Sequence, residues 1–240
     1  MLMYHGWSHV NQALLNLIMV DYTILGCSPA TLSMMLESMH RIHPNGARVR
    51  IVLNAVVESE LPFAVDGVEI TKLTHDCWDH KEDLRRSVPC LCGVYRPAVK
   101  RNVVTFFQDE LDIATERYTN LIHPTAELAA TTELGSGVDV GPNVVVAPYT
   151  RIGNFVTLNR ATTIGHHTAL GDFVTVNPGA NIAGRCRIGE GVSIGISATV
   201  LDGVEVGARS VIGAGAVVTR DLPEAVVAFG VPARIVRTVE

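Results

Sequence analysis

"TTIGHHTALGDFVTVNPGANIAG", residues 162–184, decides the fold, because Ile164, Leu170, Val176 and Ile182 return at every sixth position. Stepping by six backwards and forwards reaches Ile122, Leu128, Leu134, Val140, Val146, Ile152 and Leu158 on one side. On the other it reaches Ile188, Ile194, Val200, Val206, Ile212 and Val218, so all seventeen positions are aliphatic. Four residues after each of the first sixteen stands a small or β-branched residue or a cysteine, from Ala126 and Thr132 through Thr168, Val174, Ala180 and Cys186 to Ala216. A period of six is neither the 3.6 of a helix nor the 2 of a half-buried strand. Two inward columns at that period describe a parallel β-helix, in which three short strands make one triangular coil. Sixteen hexamers at three to a coil give a little over five coils, each rising about 4.8 Å.

The same register says what the corners carry. In the hexamer "IGHHTA", Ile164 and Thr168 point inward, so His166 and His167 face out. One coil is three hexamers, which places Gly184 directly over His166. Glycine there leaves a gap beside an imidazole and bares a backbone N–H. Acyl transfer needs that pair of groups, a base that works near neutral pH and a fixed donor for a thioester oxyanion. A single β-helix has flat outer faces and no concave pocket, so the expected assembly is a homotrimer with sites between subunits.

The chain before Ile122 follows a different pattern. "VDYTILG" reads as a strand, "SPATLSMMLESMHRI" as a helix with Ser28 at its N-cap and Pro29 at N1, and "RVRIVLN" as a second strand. "VPCLCGV" reads as a further buried strand, followed by a helix from about Pro97 to Asp112. The expected organisation is an N-terminal extension (1–19), a small Rossmann-like α/β domain with a parallel sheet (20–121), the β-helix (122–220) and a C-terminal tail (221–240). The net charge of −5 and the lack of a Lys/Arg run give no field for nucleic acid. No cationic leader with a cleavage site and no apolar run of membrane-spanning length occurs, which predicts a cytoplasmic protein without a membrane span. Five cysteines, Cys27, Cys77, Cys90, Cys92 and Cys186, lack disulfide or zinc spacing and read as structural thiols.

With "NLIHPTAEL" before the repeats and "VIGAGAVVTRDLPEAVVAFGVPARIV" after them, residues 22–237 resemble the hexapeptide-repeat acyltransferases, and among these the NeuD/PglD-like sugar acetyltransferases. The resemblance implies a left-handed β-helix behind a nucleotide-sugar-binding domain. It also implies an acetyl-CoA-dependent N-acetyltransferase acting on a nucleotide-linked amino sugar, with no metal. A sugar O-acetyltransferase is the alternative. It places the general base at His166 and an accompanying asparagine at Asn159. The amides that contact acetyl-CoA fall at Gly184, Ile196 and Ala214, the first of them holding the thioester oxygen. Two departures stand out. The family's carboxylate after the base is here His167, so another acceptor must orient His166, or His167 reaches into the acceptor groove instead. The first βα loop is "GCSPAT", keeping Gly26 and Ser28 for the nucleotide, and the acidic residue expected after the second strand is Asn54.

Other positions have plain structural readings beside these. Gly26 suits a tight turn, Ser28 a helix cap, and His123 the start of the first coil. Thr175 stands near a corner, where it either meets the acceptor or is solvated. With no lysine after Lys100, coenzyme A phosphates would need Arg209, Arg220 or Arg234. A hydratase of the γ-carbonic anhydrase kind, or an inert scaffold, is the remote reading, since a zinc site needs three converging histidines and His166 and His167 are adjacent.

Overall fold

The structure, a computed structural model, describes residues 20–26, 28–53, 65, 67–73 and 88–239. Residues 1–19, Cys27, Asn54 and Cys77 lie outside the described residues. Strands β1 (Val20–Leu25), β2 (Ala47–Val52), β3 (Val68–Leu73) and β4 (Cys90–Cys92) form a parallel sheet in the order β3-β2-β1-β4. Helix α1 (Pro29–Ile42) connects β1 to β2, and α2 (Pro97–Leu111) follows β4. Both helices begin with proline, whose missing N–H and fixed φ suit a first turn. Leu32, Met35, Leu36 and Met39 of α1 are buried at helical spacing against Ile24, Val49, Ile51 and Leu91 of the sheet.

From Leu121 the chain winds as a left-handed β-helix whose two-residue strands form three parallel faces. Face one stacks Leu121–Ile122, Asp139–Val140, Thr157–Leu158, Thr175–Val176, Ser193–Ile194 and Val211–Ile212. Face two begins at Glu127–Leu128 and includes Thr163–Ile164 and Asn181–Ile182. Face three begins at Glu133–Leu134 and includes Ala169–Leu170. Each strand pairs with the one a full coil further on, as in Thr163↔Asn181 and Ile164↔Ile182. Both inward columns form one continuous core in which Val174, Ala180, Cys186, Val192 and Ile194 are wholly buried.

The stack is longer than the period alone indicates. After Val218 the hexamer register ends, yet Leu222 bridges to Val206 and Val226–Phe229 pairs in parallel with Val211–Ile212. Both pairings, Val206 with Leu222 and Val211 with Val227, fall short of a full coil, so a strict count of six passes over them. Arg234–Thr238 then closes face one antiparallel, giving that face eight strands. The stretch read as a tail is therefore part of the solenoid sheet.

The α/β domain sits on face one and on the edge between faces three and one. Phe155 and Phe173, one coil apart on that edge, stack with centroids 5.1 Å apart. Phe155 also meets Tyr118 edge-on and packs with Val103 and Phe107 of α2. Buried Lys100 donates to the Phe155 carbonyl at 2.8 Å and to the Thr157 hydroxyl. Thr175 donates to the Tyr95 carbonyl at 2.7 Å, and the Tyr95 hydroxyl hydrogen-bonds Asp139. Burial pushes the Asp139 carboxyl up from 3.8 to about 6, against the pull of Tyr95 and Lys100. A folded-state value above the unfolded one favours folding of the protonated acid. That contribution is full below about pH 4 and is lost as pH rises through about 6. Replacing Asp139 by Asn should remove this slope, so the stability of the native protein relative to Asp139→Asn falls from about pH 4 to pH 7 in urea unfolding. Parallel stability–pH curves would refute it.

Candidate active site

From Gly137 to Gly215 each corner of the solenoid is a tight turn whose third residue lies at positive φ. On the edge between faces two and three, Tyr149 and His167, one coil apart, both adopt φ 60. A non-glycine residue there costs about 1–2 kcal/mol, so the ladder holds it. The His167 N–H donates to the Pro148 carbonyl at 3.1 Å and the His166 carbonyl accepts from Arg185 N–H at 2.8 Å. Tyr149 packs on the His167 ring with centroids 4.9 Å apart. His166 and His167 meet Nδ1 to Nδ1 at 3.1 Å, their rings nearly perpendicular.

The coil arithmetic holds at this edge. A Cβ on Gly184 would stand 2.9 Å from both Cε1 and Nε2 of His166 and 2.9 Å from Asp202 Oδ1. The ring therefore lies against the glycine's open side, and only glycine leaves it there. Among the described residues, nothing accepts a hydrogen bond from the Gly184 amide, nor from those of Ile196 and Ala214. On the edge between faces three and one two such amides are capped, Ser136 N by Asn154 Oδ1 at 2.9 Å and Asn154 N by Asp172 Oδ1 at 2.7 Å. An open amide is thus the ordinary state of this corner position, closed where an Asn or Asp one coil on reaches it.

The other expected residues divide between two edges. Ile196, 55% exposed, and Ala214 stack on the edge between faces one and two, where the Gly215 N–H donates to the Ile196 carbonyl at 2.8 Å. Asn159 lies on this edge too, buried, its Oδ1 accepting from Arg160 N at 2.9 Å. His166 and Gly184 stand across face two from all three. Arg220 is exposed and lies one coil beyond Asp202 on the His166 edge. Arg234 is exposed on the closing strand. Arg209 is bound to Glu224 at 2.8 Å on the far edge. Thr175 is neither solvated nor facing an acceptor, since it is buried and bonded to Tyr95. His123 opens the first coil as expected, its Nδ1 bridging the Thr125 hydroxyl and amide.

In the α/β domain, the sheet order reverses between β1 and β4, and a crevice at such a switch point is the usual ligand site of an open sheet. Gly26, φ 72, ends β1 beside Gly93, which ends β4. A Cβ on Gly93 would come 2.3 Å from the Gly26 carbonyl, and one on Gly26 would come 2.9 Å from Val103. Gly26 is thus required by packing. Ser28 occupies the N-cap of α1, yet its hydroxyl makes no cap bond, contrary to the capping role expected, while its N–H donates to the Gly93 carbonyl. Gly93 and Tyr95 were not legible as site residues, for "CGVY" has no motif spacing. Asp202 was within reach of the same one-coil step that paired His166 with Gly184. Among the described residues no group of three His, Cys, Asp or Glu side chains could hold a metal, and no helix is long and apolar enough to cross a membrane.

Residues 185–220 match the bacterial transferase hexapeptide family (six repeats). The chain is similar to a histidine variant of perosamine N-acetyltransferase from Caulobacter crescentus, solved with CoA and GDP-perosamine. Identity is 26%, the match covers 91% of this chain and 97% of that one, and the TM-score is 0.74. PerB from the same organism, also with CoA and GDP-perosamine, is 27% identical over 91% and 98%, TM-score 0.73. The acetyltransferase domain of PglB from Neisseria gonorrhoeae, with acetyl coenzyme A, shares the fold at 23% identity over 91% and 100%, TM-score 0.75. No curated protein matches. Solenoid, open amides and family match together define a hexapeptide-repeat acyltransferase. The match to perosamine N-acetyltransferase covers 91% of the chain and so takes in both the α/β domain and the β-helix.

Replacing Gly184 by Ala should displace the His166 ring with little effect on folding, because the atoms in the way are side-chain ends. Acetyl transfer should fall about 100-fold, the cost of misplacing a reacting group by about 1 Å. Full turnover in Gly184→Ala would show that the ring does not work from this position.

Proposed function

We propose that the protein moves the acetyl group of acetyl-CoA directly onto the amino group of a nucleotide-linked amino sugar, in the cytoplasm, with His166 as general base. The observation that carries this is that the His166 ring fills the open side of Gly184, a residue whose own N–H has no acceptor among the described residues. In such an arrangement one group takes the acceptor's proton while the other meets the developing oxyanion. The similarity to perosamine N-acetyltransferase supports the acceptor class. Ile196 and Ala214 offer open amides to the pantetheine arm, and Arg220 and Arg234 offer charge to the phosphates. The nucleotide takes the crevice at Gly26 and Ser28.

His167 answers the missing carboxylate. With Nδ1–H of His166 donating to Nδ1 of His167, the His166 Nε2 lone pair is left facing Gly184. Tyr149 and the backbone hold the accepting ring in place. His167 thus fills the orienting role by itself.

The positions of these groups support a homotrimer. A ligand touching Gly184 and Ile196 of one chain would have to wrap face two, whereas two chains side by side bring the His166 edge of one against the Ile196 edge of the next. Face two is suited to that packing. Val145, Tyr149, Ile196 and Leu201, on it or on its edges, are all exposed. Face three instead carries the ion pairs Glu133–Arg151 and Arg187–Glu205 and is a solvated side. Asn159, on the Ile196 edge, then joins the site from the neighbouring subunit.

GDP- and UDP-linked amino sugars should release free thiol from acetyl-CoA, and His166→Ala should lower kcat by about 10² to 10⁴ without changing stability. Thiol release from none of them, or near-normal turnover in His166→Ala, would contradict the respective claim. Light scattering should give three times the 25.8 kDa chain mass; a monomer at micromolar concentration would rule out the shared site.

A further inference from the structure

We infer that Asp202 receives the acceptor's amino group, and that this carboxylate makes the enzyme select an amine over a hydroxyl. The inference rests on the acyl-transfer reading above. Asp202 stands one coil beyond Gly184 on the His166 edge. Its Oδ1 and the His166 Nε2 are each 2.9 Å from the place a Gly184 Cβ would occupy. The two atoms are therefore no more than twice that distance apart, yet they make no hydrogen bond to each other. A single nitrogen just outside Gly184 can reach both. Asp202 Oδ2 is turned the other way, 3.3 Å from Arg185 Nη1. This leaves Oδ1 for the gap. The pair with Arg185 is exposed on both sides and holds the carboxylate's orientation more than its energy.

The chemistry separates the two acceptors. At neutral pH an amino sugar arrives as an ammonium ion, which Asp202 attracts to the spot beside His166. It gives one proton to solvent by way of His166 Nε2, and the freed lone pair attacks the thioester carbonyl. The new C–N bond leaves nitrogen positive and oxygen negative, the oxygen facing the Gly184 N–H. Asp202 stabilises that positive nitrogen as it did the arriving ammonium ion, so its contribution falls on kcat/KM for the amine. His166 then takes the second N–H proton, the C–S bond breaks, and the proton passes to the departing thiolate. Ammonium and thioester become amide, thiol and one released proton. A hydroxyl acceptor carries no positive charge on arrival, so the carboxylate gives it nothing and opposes the developing oxyanion.

The test compares GDP- and UDP-linked 4-amino-4,6-dideoxyhexoses with the same sugar nucleotides bearing a 4-hydroxyl, using the native protein, Asp202→Asn, Asp202→Glu and Arg185→Ala. The native enzyme should release thiol with an amine and at least 100-fold less with its hydroxyl twin. Asp202→Asn should lose about 10- to 100-fold in kcat/KM for the amine, the loss of one charged hydrogen bond, with KM for acetyl-CoA unchanged. Asp202→Glu should recover part of it, and Arg185→Ala, which frees the carboxylate to turn, should weaken the amine preference without abolishing it. An Asp202→Asn enzyme with an unchanged amine-to-hydroxyl ratio, or a native enzyme indifferent to the two, would overturn the role of Asp202 while leaving acyl transfer standing. Thiol release from no member of the panel would overturn both.

Discussion

The rest of the molecule depends on a hydrogen-bond ladder in which each residue pairs with its counterpart one full coil later. Parallel strands two residues long would have no stability alone. Stacked, they give every rung a neighbour above and below and bury two columns of side chains in a continuous core. That ladder also places His166, Gly184 and Asp202 in one column, because equal spacing in sequence becomes stacking in space. The chemistry of the edge is therefore written along the chain at a fixed interval, although its members look unrelated when read consecutively.

How much could be read beforehand differs between the two parts. In the solenoid, aliphatic residues at seventeen successive sixth positions left no competing architecture, and the stacking of Gly184 on His166 followed by counting. Reading ended where counting ended. Leu222 and Val226–Phe229 continue the stack at spacings shorter than a coil, and nothing in the hexamer pattern announces a shortened corner. Thr175 was misplaced for another reason. Its burial comes from the α/β domain seated over face one, and docking between domains has no period to reveal it. The same limit applies to Ser28, a residue of the right type at the right place whose hydroxyl makes no cap bond while its N–H ties the helix start to Gly93.

Docking of the domains is polar at its centre. Lys100, Thr157, Thr175, Tyr95 and Asp139 satisfy one another across the junction while Phe155 and Phe173 close its flank. Burial lowers the Lys100 ammonium from its ordinary value and raises the Asp139 carboxyl, so each charge is tolerated only because the other groups are present. Such a network favours a single relative placement of the two domains, since a shift by one coil would move the Tyr95 hydroxyl from Asp139 to Thr157.

The shortened corners beyond Val218 limit how such a molecule can change in length. Inside the regular region, adding or removing one whole coil would lengthen or shorten the prism and leave every edge aligned. A change of any other size would rotate all later corners around the axis and carry Gly184, Asp202 and Arg220 off the edge that holds His166. Length is thus quantised in whole coils between His166 and the closing strands. Small insertions can be absorbed only where the regular ladder has already been abandoned, next to Leu222 and the antiparallel strand Arg234–Thr238.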